Sequence, residues 1–485
     1  MVTRDLSVLF VASEIEGLIK SGGLADVAKA LPQALFALGH DVKVAIPGYR
    51  KIKDLADAPV LLETKLEHWP HTPYRVRRMS VGDLPVLAIE CDQYFARDEM
   101  YSQYNQAYPD NGERFSFFSA ASLDMLPKLE FQPDIIHAND WHTGFVPYLL
   151  KHRYAEHPYF ANTKSIISIH NAVFKGVFSY DELPTLVEMQ GRYAPDAAVS
   201  VSHVTMLKAG VMTADKINAV SPTYAQELKT ELGSHGMARE FRAREHDLVG
   251  ILNGCDYSDW NPATDEYIPR KYHAELSSML EGKAACKQAL QQRVCLPERD
   301  TAVYGMVCRL TNQKGLHYLL PILERFLKLD AQLVIVGTGD PILATQLAEI
   351  AARHPEKFAF VEAYSNELAH LVEAGADFFL MPSEFEPCGL NQIYSMAYGT
   401  LPIVRAVGGL KDTVADYDID PEIATGFAFL EPEPIELLSV MQRSLLFYLQ
   451  NQAEMQRVQL RAMKQQFCWK KAAEEYLSLY RSAFH

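Results

Sequence analysis

Short apolar runs recur along this chain in two rounds, each run followed by helically spaced residues, and that rhythm limits the possible folds more than any other feature. The first round holds Leu6 to Ser13, Val42 to Ile46, Val86 to Cys91, Asp134 to His137, Ser165 to His170 and Ile217 to Val220. The second holds Ala302 to Arg309, Gln332 to Val336, Phe358 to Val361, Asp377 to Met381, Leu401 to Val404 and Phe427 to Leu430. Apolar runs of about four to eight residues between turn signals read as strands buried on both faces, and their alternation with helices predicts a mostly parallel sheet. Gly250 to about Glu275 breaks the rhythm once and reads as a linker. The expectation is an α/β fold of two doubly wound domains, 1–250 and 251–465, with a ligand cleft between them, because 485 residues exceed one ordinary core. Beyond them, Trp469, Ala472, Ala473, Tyr476, Leu477 and Tyr480 fall at helical spacing, an amphipathic helix packing on a domain.

Composition narrows the function classes. A formal net charge of −15 argues against a nucleic-acid partner, which needs a basic face to displace counterions. An anionic ligand must then be met by locally placed Lys and Arg. The seven cysteines are scattered without a Cys-x-x-Cys pair, which reads as reduced thiols. The N-terminal apolar run meets Glu14 and Glu16 too soon for a signal peptide, and no run reaches the length of a membrane span, so a cytoplasmic protein is expected.

Within the second round one stretch carries the most chemistry. From Phe378 to Met381 it reads as a buried strand, from Pro382 to Leu390 as a loop at that strand's C-terminal end, and onward as a helix stopped by Gly399. Ligands bind at such strand ends in open α/β sheets. Glu386 is the carboxylate of the loop, and Gly389 lets backbone N–H groups approach a ligand.

Other loops occupy the same kind of position. Lys20-Ser21-Gly22-Gly23-Leu24-Ala25-Asp26-Val27 joins the first strand to a helix closed by Gly39; its amides suit a phosphate or sugar hydroxyl, or form a tight turn beside a solvated lysine. His137, Asp140, His142 and His170 cluster at two strand ends in no familiar metal spacing, so sugar recognition fits better, with Trp141 or nearby aromatics packing the ring and His137 open to a purely structural role. Arg309 and Lys314 bracket a loop that can neutralise a diphosphate without a metal, or simply be solvated. Val336 to Asp340 resembles a dinucleotide turn lacking its third glycine. Gly408-Gly409-Leu410-Lys411-Asp412 echoes the Gly22-Gly23 loop.

These segments, in this order and over nearly the whole length, resemble the bacterial glycogen synthase and plant starch synthase family. Leu207-Lys208-Ala209-Gly210, Val220 to Tyr224 and Leu252-Asn253-Gly254 add to the match. The resemblance implies two Rossmann-like domains in the GT-B arrangement, with 466–485 crossing back to the first, the acceptor side on the first domain and the donor side on the second. It implies transfer of glucose from ADP-glucose to the non-reducing 4-OH of glycogen or another α-1,4-glucan, retaining configuration, with no metal and no cofactor. Arg309 and Lys314 would hold the diphosphate, helped by Lys20 and the amides of Gly22 and Gly23 when the cleft closes, and by Gly408 and Gly409. Glu386 would face the donor glucose and stabilise its cationic transition state, with Asp140 and His170 on nearby hydroxyls. Asp26, His142, Asn253, Tyr364, Cys388, Gly389 and Leu390 would complete the sugar site. Ser21 stands where many members have Thr, Tyr394 where broader GT-B retaining enzymes carry a second Glu, and Glu384 where relatives often carry Arg.

Three other readings compete. A UDP-glucose-preferring enzyme of the same fold differs only in base recognition, which the sequence does not display. A glycoside hydrolase using Glu384 and Glu386 would need carboxylates flanking one bond, about 5 to 9.5 Å apart, and would leave Arg309 and Lys314 unexplained. A glucan-binding protein without turnover would have no need of Glu386, Arg309, Lys314 and His170 together. Oligomeric state leaves no trace in the sequence.

Overall fold

A computed structural model describes residues 5–104, 106–185, 196, 202–363 and 365–485. The chain divides into two compact units, one of Met1–Gly254 with Trp469–His485, the other of Cys255–Cys468. Among the described residues no helix is long and apolar enough to cross a membrane.

In the first unit nine strands form one sheet, in the order Leu248–Gly250, Lys216–Ala219, Lys164–Ile169, Ile135–Asn139, Ser7–Val11, Asp41–Pro47, Leu84–Glu90, Pro73–Val81 and Val60–Lys65. The first seven pair in parallel and the last two antiparallel. Ile135–Asn139 is buried throughout, as a strand covered on both faces must be. The antiparallel strands Val60–Lys65 and Pro73–Val81 are not among the apolar runs of the sequence. They lie toward the sheet's edge, where Arg75 and Arg78 reach solvent and Arg77, though buried, is neutralised by Glu90 at 2.6 Å, so the apolar pattern is interrupted.

Within the second unit six parallel strands follow the order Phe358–Val361, Ala331–Val336, Ala302–Val307, Phe378–Met381, Leu401–Arg405 and Phe427–Phe429. Alternate residues feed two cores. Tyr304, Leu333, Phe378 and Leu380 pack on one face, and Val303, Val334 and Phe379 on the other. Asp340 caps the helix Pro341–Arg353 through the Ile342 N–H at 2.8 Å, with Pro341 in the first turn where its missing N–H costs nothing.

The stretch from Cys255 to Glu275 is irregular, as its polarity predicts, yet it is anchored: Tyr272 is wholly buried and donates to the Tyr398 carbonyl at 2.8 Å. In the first unit, the last helix, Trp469–Ser482, buries Ala472, Ala473, Tyr476, Leu477 and Tyr480. The Tyr480 hydroxyl lies 2.7 Å from His137 Nδ1, and Asn218 donates to the Tyr476 hydroxyl at 2.6 Å.

Candidate active site

Each unit gathers its polar loops at the C-terminal ends of adjacent strands. In the second unit, the loops after Ala302–Val307, Phe378–Met381 and Leu401–Arg405 are tied together by backbone bonds. The Glu384 N–H donates to the Gln313 carbonyl at 2.8 Å, and the Gly409 N–H to the Glu386 carbonyl at 3.1 Å. Gly315, at φ +77°, leaves no room for a side chain, since a Cβ would stand 1.9 Å from the Pro382 carbonyl oxygen. Arg405 fastens the same loop, donating to the Ser383 carbonyl at 2.8 Å and to that of Glu384.

Inside this frame Glu386 is 7% exposed, and its Oε2 accepts from Lys314 Nζ at 2.6 Å and from Ser383 Oγ at 3.0 Å. The ion pair offsets the cost of burying the carboxylate. Arg309 is exposed and, among the described residues, has no hydrogen bond or ion pair. One cation is thus committed to the carboxylate and the other stands open for an anion. Glu384 is exposed and faces His317 at 4.0 Å rather than Lys314, so the two glutamates do not share a setting. The Cys388 carbonyl accepts from Gln392 Nε2 at 3.2 Å, Gly389 turns at φ +74°, and Leu390 caps the helix that follows. Thr338 and Gly339 pack on the Leu310 backbone, whose N–H donates to the Thr338 carbonyl at 2.8 Å, which explains that glycine turn by packing.

The first unit solves its charge problem differently. Glu14, 4% exposed, takes the N–H of Ser21 and, at 3.3 Å, that of Gly22 on its carboxylate. Loss of solvent raises its pKa in spite of those donors. Lys20 pairs with Asp26 at 2.7 Å and Glu16 at 2.9 Å. Gly23 opens the helix Gly23–Ala37, and no atom lies within 4 Å of where its Cβ would be. Internal packing therefore does not require that glycine; open space lies in front of it.

At the next strand ends, Asp140 adopts φ +54° and accepts the His170 N–H at 2.7 Å and the Asn171 N–H at 3.4 Å. Burial still pushes its carboxyl up to about 7. Burial pushes His170 down to about 4, so its imidazole is neutral, with Nε2 2.9 Å from Asn139 Oδ1. His142, held down to about 3 by burial, stacks on Trp141 at 4.0 Å with Nδ1 unpartnered among the described residues. Trp141 itself is buried against Phe115 and Phe178 and offers no open face like that of a sugar platform. Both nitrogens of His137 have partners, Tyr480 and Ser168 at 2.7 Å each, which makes it a core residue. Asn253 is buried with Oδ1 unpartnered among the described residues. Tyr364 lies outside the described residues.

Sequence reasoning passed over Glu14, Tyr101 and Arg405. Glu14 had a signal, a carboxylate just past a strand and ahead of a Gly-Gly loop. Tyr101 had none: its hydroxyl donates to Ser13 at 2.7 Å and its ring lies 4.7 Å from His142, contacts between residues far apart in sequence.

Comparison with known proteins agrees with this architecture. The family model "Starch synthase catalytic domain" matches residues 7–243, and "Glycosyl transferases group 1" matches 290–457. Glycogen synthases of Vibrio atlanticus and Vibrio parahaemolyticus are 71% and 70% identical, each match covering 100% of both chains. The catalytic domain of starch synthase IV from Arabidopsis thaliana, solved with ADP and acarbose, aligns with a TM-score of 0.89 at 30% identity, covering 99% of this chain and 100% of that one. A sucrose-phosphate synthase from Thermosynechococcus elongatus, at 18% identity and a TM-score of 0.60, shares the fold alone. Two doubly wound units, each with polar loops at its strand ends, and relatives aligned from end to end lead to one conclusion: the chain belongs to the glycogen and starch synthase family of GT-B glycosyltransferases.

Proposed function

We propose that this protein is a cytoplasmic hexosyltransferase that moves glucose from ADP-glucose to the non-reducing 4-OH of glycogen or a related α-1,4-glucan, with retention of configuration. Beside the family membership, the observation that carries the reading is the second-unit arrangement of a buried carboxylate on Lys314 with the Arg309 guanidinium left open.

Charge separates as the glycosidic bond breaks: the diphosphate leaves with added negative charge and the sugar ring turns cationic. Arg309 meets the diphosphate as an open guanidinium fork, and Lys314, paired with Glu386, adds a point charge beside it, both acting as fixed electrostatic stabilisers. Glu386 faces the sugar, where its carboxylate favours the oxocarbenium-like transition state over the neutral ground state. Its approach is fixed by the Gly409 N–H on its own carbonyl. On the first unit, Lys20 and the open space before Gly23 suit a phosphate oxygen, and Asp26, Asp140 and neutral His170 suit sugar hydroxyls. His142, Asn253 and Tyr364 extend that sugar set, with the Cys388, Gly389 and Leu390 backbone on the donor side and the Gly408–Gly409 turn beside the phosphate.

The test is incorporation of labelled glucose into glycogen from ADP-glucose and, in parallel, UDP-glucose, with EDTA present. Incorporation from ADP-glucose at the higher rate is expected. A higher rate from UDP-glucose would overturn the donor assignment, and glycogen binding without incorporation from either would overturn the enzyme.

A further inference from the structure

Between the strands Phe378–Met381 and Leu401–Arg405 stands a helix of two turns, Asn391–Ala397, and the loop bearing Glu386 runs straight into it. A helix this short has almost no stability of its own, and this one has no side-chain N-cap. Its orientation is therefore imposed from outside. Asn391 donates to the Val307 carbonyl at 2.9 Å, and Ile393 and Met396 sit in the core; beside these, two tyrosines one turn apart, Tyr394 and Tyr398, add a second grip.

Tyr394 lies flat on Trp260, with ring centroids 4.1 Å and planes 4° apart, and Trp260 stacks in turn on His370 at 3.8 Å and 10°. His370 is fully buried, and its Nδ1 lies 2.8 Å from Asp265 Oδ2. The same Asp265 oxygen accepts the Tyr398 hydroxyl at 2.5 Å. Trp260 and Asp265 both come from the irregular stretch after Cys255, which looks like a linker in sequence. Here it closes a loop of contacts, Tyr394 to Trp260 to His370 to Asp265 to Tyr398, that begins and ends on the helix behind Glu386.

We propose that Trp260, His370 and Asp265 are positioning residues for glucosyl transfer: they hold the Asn391–Ala397 helix, and so fix where the Glu386 loop presents its carboxylate. None of them touches the reacting atoms. The inference rests on the proposed function, because it needs a reaction whose rate depends on Glu386. Such rates are steep in geometry, since about 1 Å of misplacement can cost about 100-fold.

Trp260→Leu removes the stacked plane. The expected result is a kcat about 10- to 100-fold lower, with the KM for ADP-glucose and the Kd for ADP within about threefold of wild type. Trp260→Phe, which restores a flat ring, should recover most of the rate. Leu445→Ala, a truncation in the core of the same unit on the helix Pro434–Gln450, serves as the control for lost stability, and should lower Tm while keeping kcat. Wild-type kcat in Trp260→Leu, or an equal fall of kcat in Leu445→Ala, would overturn the positioning role. If Trp260→Leu does not fold, Tyr394→Leu and His370→Gln are read in its place, and wild-type kcat in both overturns the proposal. Absence of transfer by the wild-type protein would instead overturn the proposed function, and this inference with it.

Discussion

The loops Gly22-Gly23-Leu24-Ala25-Asp26 and Gly408-Gly409-Leu410-Lys411-Asp412 are near-copies in sequence and opposites in physics. In the second unit the glycines are demanded by packing: a Cβ on Gly408 would stand 2.0 Å from the Glu386 carbonyl oxygen, and one on Gly409 2.1 Å from that of Cys388. In the first unit neither glycine is crowded, with only Glu14 Oε1 at 3.9 Å from a Cβ on Gly22 and nothing near Gly23. One pair exists to let two loops of the protein touch. The other is left uncrowded by the protein's own atoms. The buried carboxylates differ in parallel, for Glu386 has a cation on it while Glu14 and Asp140 have backbone N–H groups and raised pKa values.

The largest effect should come from the carboxylate with a cation. Glu386→Ala is expected to lower kcat by about 100-fold or more while donor binding is largely kept, the scale of removing one fixed electrostatic stabiliser. Near-normal turnover would remove the second-unit loop from the chemistry. Arg309→Ala should lower kcat/KM for the donor by about 10- to 100-fold without changing Tm, since its guanidinium supports nothing in the fold. A wild-type value would mean that the diphosphate sits elsewhere.

Next in size are the glycines, which test the contrast directly. Gly409→Ala should cost about 1–3 kcal/mol of stability, because backbone must move to admit the methyl group. Gly23→Ala sits in the first turn of an open helix and should leave stability within about 1 kcal/mol of wild type, or raise it, while weakening donor use. Equal Tm losses in thermal unfolding would erase the distinction between the two loops.

The last is a pH effect, read at Asp140 of the first unit. Asp140 titrates near 7 in the fold against 3.8 as its ordinary value, so between those values the folded state holds a proton that the unfolded chain has lost. Its stabilising contribution is therefore complete below about pH 4 and fades as pH rises through 7, at up to about 1.4 kcal/mol per pH unit. Asp140→Asn, measured by denaturant unfolding from pH 5 to 8, should flatten that slope. An unchanged slope would show that Asp140 ionises like an exposed carboxylate.

The strands were legible because parallel strands buried on both faces are mostly apolar, as Phe378–Met381 is throughout and Ile135–Asn139 is apart from His137 and Asn139. The edge strands Val60–Lys65 and Pro73–Val81 were not, because strands near an edge open to water admit charged residues such as Glu63, Lys65 and Arg78. Glu386 and Lys314 could be singled out as types in strand-end loops, but their 2.6 Å pairing joins residues 72 positions apart. His137 sits in the same His-rich motif as Asp140 and His142, and only the returning C-terminal helix shows that Tyr480 holds it as a core residue.

What the sequence determined by itself is the set of local decisions: which runs become strands, where Gly39 and Gly399 end helices, and which loops carry charge. Those follow from periodicity and backbone freedom, which act over a few residues. The tertiary structure alone decided which charges meet, which of two identical glycine pairs faces open space, and that a polar stretch after Cys255 grips the helix behind Glu386. Burial and Coulomb energy depend on distance in space, and residues far apart in a sequence acquire that distance only when the chain has folded.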